Sequence, residues 1–569
     1  MTEGQGRQEG VRSDVKPAQA PSEWRGGGAG RSLVILLLVV PLAFLLLFYF
    51  YPLIEILRVS LTGQDRLEPA LLVRRLFSSR TLSVIGFTFG QAFLSTVLTL
   101  LLGLPGAYVF ARYKFPGKQV IQALATVPFV LPTVVVAAAF SAVLGPGSLL
   151  NRLLGGSLDL RYSLGAILIA HVFYNYTVVI RMVRGFWSTL DPYLEQAART
   201  LGAPPWRVFW EVTLPLLMPV VATAGVLIFI FCFTSFGVIL ILGGARFATL
   251  EVAIYRQTIN FANLPLAAAL SLVQILFTLS LTLAYARLQK RVSRPLELKP
   301  QWVTERRPQK PGEIVFLGFN LLFMLVLLAY PLLTLIIRSF QAGVTYYATL
   351  FENPRHGVFY VPPLAAVGNS VRIALIATAL ALFLGLLASV ALYRRRIGWL
   401  IDALFMLPLG TSAVTLGLGY LLAMDQPPLD LRGTVVLIVF AHALVALPFV
   451  VRSVLPALQS IRPSLREAAA LLGGSPLSVF VEVDLPIVWR ALAVGAIFAF
   501  TVSMGEFGAT SMIARPELPT MPIAIYRFLS RPGALNYGQA LAMSTILMAV
   551  TGFGFVAIEQ LRPPGTQAF

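Results

Sequence analysis

Twelve stretches of this chain are apolar for long enough to cross a bilayer, and no other feature constrains its fold as strongly. A hydrocarbon core about 30 Å thick takes about 20 apolar residues of helix. Such stretches fall near 33–57, 84–110, 119–144, 163–183, 216–243 and 265–286. Six more fall near 313–337, 369–393, 400–423, 434–454, 487–513 and 537–559. Composition agrees: 57% of the residues are hydrophobic, only 12% are charged, and the mean hydropathy is +0.80. That is about half the charge of a soluble domain, so most of the surface must face something other than water. The expected fold class is an all-α polytopic membrane protein with about 12 transmembrane helices.

Residues 1–31 are polar, Gly-rich and without periodicity, and are expected to form a disordered cytoplasmic tail. The run from Leu33 to Leu57 exceeds a signal-peptide core and lacks a small-residue cleavage site after it, so it is expected to remain as a span. Twelve spans place both termini on one side. The basic segments 112–118, 287–310 and Arg394-Arg395-Arg396 put that side in the cytoplasm by positive-inside bias, against Arg66, Arg74, Arg75 and Arg80 in the first outer loop. The net charge of +19 therefore reads as orientation in a membrane and not as nucleic-acid binding. The single cysteine, Cys232, excludes an intrachain disulfide or a multi-Cys metal site, and it reads as a small buried hydrophobe.

The chain also repeats itself. At an offset of 271, Ala170-His171 falls on Ala441-His442, Pro192 on Pro463, Gly202 on Gly473, Phe236-Gly237 on Phe507-Gly508, and TLEVAIYR (249–256) on TMPIAIYR (520–527), without a gap. Upstream the offset grows by about ten, with Gly103 near Gly385, because the outer loop after the third span is longer in the first half. The organisation is two six-helix halves in the same orientation, 32–286 and 313–569, joined by a basic cytoplasmic linker at 287–312. Parallel repeats pack about a pseudo-twofold axis along the membrane normal, with room for a path between them.

Inside this repeat lies a polar element that the spans do not require: EQAARTLGAPPWRVFWEVTLP (195–215) and REAAALLGGSPLSVFVEVDLP (466–486). The Ala-rich start favours helix, the glycine breaks it, and Leu-Pro opens the fifth span of each half. One such turn would be an ordinary interfacial element; two at matched positions suggest a pair of docking surfaces. The pattern Glu-Ala-Ala, three residues, Gly, nine residues, Ile, one residue, Leu-Pro resembles the signature of permease subunits of binding-protein-dependent ABC importers. The second copy fits, with Val483 at the Ile position, through Glu467, Ala468, Ala469, Gly473, Leu485 and Pro486. The first has Gln196 at the Glu position, with Glu195 one residue early, followed by Ala197, Ala198, Gly202, Leu214 and Pro215.

The resemblance implies a type I importer transmembrane fold whose loops are coupling helices, each seated in a groove of one copy of an ABC ATPase on the cytoplasmic side. It also implies a solute-binding protein on the outer side of a bacterial inner membrane. The sequence has no Gly-x-x-x-x-Gly-Lys-Ser/Thr loop, so ATP and Mg are expected on the partner ATPase and not on this chain. CFTSFGVILILGG (232–244) followed by TLEVAIYR, and MGEFGA (504–509) followed by a short outer loop, further resemble the fused thiamine and ferric-iron permeases, the thiamine branch more closely.

Glu506 is a carboxylate within a span, which marks a site or path by default. Its repeat mate is Ser235, so Ser235-Phe236 and Glu506-Phe507 stand at one level in the two halves as translocation-path candidates. Counting about 1.5 Å per residue from Leu-Pro puts them about 30 Å along the helix, near its outer end, where Glu506 either lines an outer gate or cation path or reaches interfacial water or an Arg. Arg372 is expected at the outer interface. His171 and His442 read as helix–helix packing or hydrogen bonding, and His356 falls in an outer loop, so no metal site is expected. The alternative class is a twelve-span carrier driven by an ion gradient, which calls for intramembrane acidic or His relays beyond Glu506.

Overall fold

The computed structural model describes residues 28–63, 66, 67, 69–153, 155, 159–292, 304–352, 361–394, 399–425 and 429–561. The tail up to residue 27, the middle of the linker, His356, Arg395 and Arg396 lie outside them. Helix fills every one of the predicted stretches, and the described strands amount to a two-residue pairing of Thr62–Gly63 with Arg66–Leu67. Among the described residues ten helices are long and apolar enough to cross a membrane, and Ile401–Gly410 with Ala413–Ala423, bent by 99°, makes an eleventh. Ala534–Leu561, 28 residues long, occupies the twelfth stretch.

Four of the predicted stretches are not single helices. The third span divides into Lys118–Val130 and Thr133–Leu144 at Leu131-Pro132. Its counterpart, the ninth, divides at Thr411-Ser412, where the Ser412 hydroxyl caps Ala413–Ala423 by accepting from Thr415 N at 3.1 Å. The fifth span, Leu214–Phe233, stops before Thr234-Ser235-Phe236 and resumes as Gly237–Leu242. The eleventh, Leu485–Gly505, stops at Glu506-Phe507, and the Glu506 carboxylate accepts from the N–H groups of Ala509 (2.7 Å) and Thr510 (3.0 Å) at the start of Gly508–Ile513. Hydropathy runs unbroken through all four breaks, so the sequence reads as continuous helix where the backbone is not.

The four breaks pack together. A Cβ on Gly237 would lie 2.5 Å from the Thr133 hydroxyl, and one on Gly508 would lie 2.8 Å from the Ala413 Cβ. Gly505 rests on Pro132, so the second half's break meets the first half's. Backbone this close requires glycine.

The chain after 504–509, expected as a short outer loop, instead contributes the packed helix Met521–Leu529, the counterpart of Leu250–Tyr255. Leu250 N donates to the Thr88 hydroxyl at 3.0 Å, and Met521 N to the Ser370 hydroxyl at 2.8 Å. Thr88 stands nine residues into Ser79–Arg112, about 14 Å from that helix end. Ser370 stands five residues into Ala365–Arg394, about 8 Å from its end, so both short helices are re-entrant from the end opposite the Gly-broken loops.

The first span of each half crosses to the other half. Leu37–Leu61 packs on the eighth and ninth spans, with Phe48 4.6 Å from Phe440 of the tenth between ring centroids and the Tyr49 hydroxyl 2.6 Å from that of Thr411. Pro311–Ser339 packs in turn on the third span, where Arg338 donates to the Ala142 carbonyl at 2.8 Å. The two halves of the sequence are thus interlocked in space.

Candidate functional site: coupling loops and a midspan plug

The fourth span of each half, Leu164–Trp187 and Val435–Ser460, leads into a nine-residue helix, Pro192–Thr200 or Pro463–Leu471. The first of these is capped by Asp191, whose carboxylate accepts from Tyr193 N at 3.0 Å. Each ends at a glycine in the left-handed region, Gly202 with φ +86° and Gly473 with φ +89°. Two backbone bonds close each end: Gly202 N to Arg199 O and Ala203 N to Ala198 O, then Gly473 N to Ala470 O and Gly474 N to Ala469 O. This is the Schellman ending, and it places the second Ala of each Ala-Ala pair as the acceptor of the outer bond.

A short helix and a five-residue π-turn, Phe209–Thr213 or Phe480–Asp484, then run into the fifth span. Helix therefore begins at Pro205 or Pro476 and not at Leu214-Pro215 or Leu485-Pro486, and the π-turn accommodates the missing proline N–H.

Both loops present apolar side chains away from the fold: Leu201 is 88% exposed, and Leu471 and Leu472 are each 89% exposed. Tyr193, Trp206, Leu465 and Leu477 extend this surface. Gln196 and Glu467, equivalent in the repeat, are both exposed, as are Ala197 and Ala468.

The neighbouring position anchors each loop. Glu195 accepts from Arg112 at 3.0 Å and from the Thr213 hydroxyl at 3.2 Å, while Arg112 also donates to the Leu190 carbonyl. In the second half Arg466 stands opposite Glu195 and donates to Asp484, opposite Thr213, at 2.6 Å. Its guanidinium also bonds the Tyr393 hydroxyl and lies 4.4 Å from that ring's centroid. The charge at the repeat position, Glu195 or Arg466, is thus reversed, and its ionic partner moves from Arg112 of the second span to Asp484 in the loop's own π-turn. Arg466 was passed over in the sequence, although the repeat at an offset of 271 shows Glu195/Thr213 replaced together by Arg466/Asp484.

The linker joins this assembly. Lys114 N donates to Arg306 O, Arg306 N donates to Arg112 O, Lys118 pairs with Glu305 at 2.9 Å, and the Thr304 hydroxyl donates to Ser188 O. The described linker residues thus bind the 112–118 loop and the chain just before the helix Pro192–Thr200.

Between the breaks of the fifth and eleventh spans, Phe236 and Phe507 stack with centroids 5.2 Å apart and planes at 26°. Tyr255 lies 5.4 Å from Phe236, Tyr526 5.5 Å from Phe507, and the two tyrosines 6.4 Å from each other. Each pair is related by the repeat, so four rings close the interface between halves.

His171 holds the first break, its ring nitrogens 3.0 Å from the Ser95 hydroxyl and 2.9 Å from that of Ser235. His442 holds the second, 2.7 Å from the Ser503 hydroxyl, 2.8 Å from that of Thr510 and 3.3 Å from the Glu506 carboxylate. Glu506 is thus buried and held by Ala509, Thr510 and His442. The re-entrant chain after it covers the position that counting along one helix had placed at the outer end. Arg372 is exposed. A second buried carboxylate, Glu251, was missed; it is 1% exposed and bonds Gln274 and Ser412.

Residues 100–294 match the family described as binding-protein-dependent transport system inner membrane component. A transport system permease protein of Salmonella typhimurium, PhnV, is 31% identical over 214 residues, covering 37% of this chain and 78% of that protein. The chain belongs to this family.

The permease is also similar over both halves to thiamine transport system permease proteins named ThiP. The Escherichia coli (strain K12) protein is 28% identical over 497 residues, 84% of this chain and 88% of its own. That of Haemophilus influenzae is 28% identical over 499 residues, with the same coverage. Among solved structures, a chain of a bacterial ABC transporter involved in import of the acidic polysaccharide alginate aligns with a TM-score of 0.41 and 18% identity, covering 48% of this chain and 100% of that chain. The protein is therefore a fused, multi-pass inner-membrane permease subunit of a binding-protein-dependent ABC importer, and the ion-gradient carrier is set aside.

Proposed function

We propose that this permease imports thiamine. The observation that carries the solute is similarity to thiamine permeases over 84% of the chain, both halves included. Thiamine is a cation, and the buried Glu506 beside the aromatic plug suits a positively charged cargo.

In this reading the loops at Glu195–Pro215 and Glu467–Pro486 are coupling elements. Each seats its exposed apolar helix in one copy of an ABC ATPase, which binds ATP and Mg and performs the hydrolysis. Both termini lie in the cytoplasm, and a periplasmic solute-binding protein delivers cargo at the opposite end. ATP-driven closure of the two ATPases moves the loops and, through the fifth spans, parts Phe236 from Phe507; Ser235 and Glu506 border the path so opened.

The test is purification of the full chain from its native membrane with its partners, then reconstitution in vesicles. ATP- and binding-protein-dependent uptake of labelled thiamine is expected. Uptake of ferric iron in its place would reassign the solute, and recovery without an ATPase would overturn the coupling reading.

A further inference from the structure

Glu251 is the least exposed carboxylate among the described residues, and the fold does not need it. Its repeat mate is Pro522, yet Met521–Leu529 forms the same re-entrant helix without a charge at that place. Gln274, about 15 Å into Leu264–Val292, donates to one carboxylate oxygen at 3.0 Å, which places Glu251 near mid-membrane. The other oxygen accepts from the Ser412 hydroxyl at 2.6 Å, across the boundary between the halves. Both partners are neutral, and the remaining amide oxygen of Gln274 is buried without a partner. One helical turn beyond Glu251 stands Tyr255, a member of the aromatic plug.

A buried carboxylate held only by neutral donors is costly, and at mid-membrane it implies a use for its charge. The bond to Ser412 joins the two bodies that must separate when a path opens between them. We propose that Glu251 lines the translocation path at mid-membrane and receives the positive charge of a cationic solute when Ser412 moves away. Ser412 and Gln274 hold the carboxylate in the closed state. Glu251 and Glu506, at non-equivalent repeat positions, then give the path one acidic group from each half. The identity of the cation rests on the thiamine reading; the acidic path does not.

The test uses the whole transporter with its ATPase and binding protein. Cys232 is the only cysteine, so Cys232→Ser with Ser412→Cys leaves one reporter thiol beside Glu251. At rest this thiol is expected to be unreactive. After trapping with ATP and vanadate it is expected to prefer the trimethylammonium-ethyl methanethiosulfonate over the sulfonatoethyl reagent by about tenfold more than a free cysteine does. Adding Glu251→Gln should abolish that preference. No reaction in a complex that hydrolyses ATP, or an unchanged preference with Glu251→Gln, would overturn the proposal. Should the reporter variant not assemble, Glu251→Gln alone decides: thiamine uptake should fall about tenfold while binding-protein-stimulated ATPase persists, and unaltered uptake would refute it. Wild-type vesicles that take up no thiamine would remove the solute reading, and the labelling preference would still decide Glu251.

Discussion

Phe236 stacks on Phe507, its own repeat mate, with centroids 5.2 Å apart. Residues related by a twofold operation touch only where the axis passes, so this contact marks the axis between the halves. Tyr255 and Tyr526 flank it as a second related pair. In the proposed mechanism this aromatic cluster is the seal between the halves.

Truncating either ring should open that seal. A stacked aromatic pair contributes about 1 kcal/mol beyond its buried area. Phe236→Ala and Phe507→Ala should each raise ATP-independent leak of a small solute from vesicles several-fold, and to a similar degree. Tight vesicles for both variants would place the barrier elsewhere.

The glycine that ends each coupling helix is needed for its backbone and not for space. No atom lies within 4 Å of a Cβ built on Gly202 or Gly473. The left-handed conformation costs an ordinary L-residue about 1–2 kcal/mol, with Asn the best tolerated. Gly473→Asn should retain most binding-protein-stimulated ATPase activity, whereas Gly473→Val should insert normally and lose it. Equal activity in the two would show that the loop's shape is not transmitted.

Reversed tethers predict matched defects. Glu195→Ala leaves the Arg112 side chain, 7% exposed, without its carboxylate. Arg466→Ala does the same to Asp484, whose side chain is 10% exposed. Removing one partner of a buried pair costs about 3–5 kcal/mol, and partial exposure reduces this to the lower end. Each variant should lower the thermal midpoint of the purified transporter and weaken coupling of ATP hydrolysis to uptake. Unchanged coupling in both would reduce the tethers to local stabilisers.

Close helix crossings offer an internal control. A Cβ on Gly103 would lie 2.8 Å from the Val179 Cβ, and one on Gly385 would lie 2.5 Å from a Val450 methyl, the same crossing in each half. Gly86 has open space. Gly103→Leu and Gly385→Leu should cost about 1–3 kcal/mol by overpacking and reduce folded yield in detergent. Gly86→Leu should not; a loss of yield in all three would point to membrane insertion instead.

The sequence made some of these features readable and concealed others for identifiable reasons. Spans and repeat were visible because apolar length and a fixed offset both survive in one dimension. The breaks at Pro132, Ser412, Ser235 and Glu506 were hidden because their flanks stay apolar. Hydropathy names no packing partner, so the crossing of Phe48 onto Phe440 left no trace. Glu251 escaped because it lies in a segment matched for its similarity to 520–527, and the single difference of charge, opposite Pro522, was the informative position. Arg466 escaped because attention went to Glu467, its exposed neighbour.

The linker that binds beside the first coupling loop also fixes a stoichiometry. In a permease assembled from two identical chains, every residue near the axis occurs twice, and one carboxylate there brings a second of like charge beside it. Joining the halves removes that constraint. Glu251 can face the path opposite Pro522, and Glu506 opposite Ser235, each present once. Covalent continuity thus permits charges without a repeat mate on an otherwise twofold path, and lets the two sides of that path change independently.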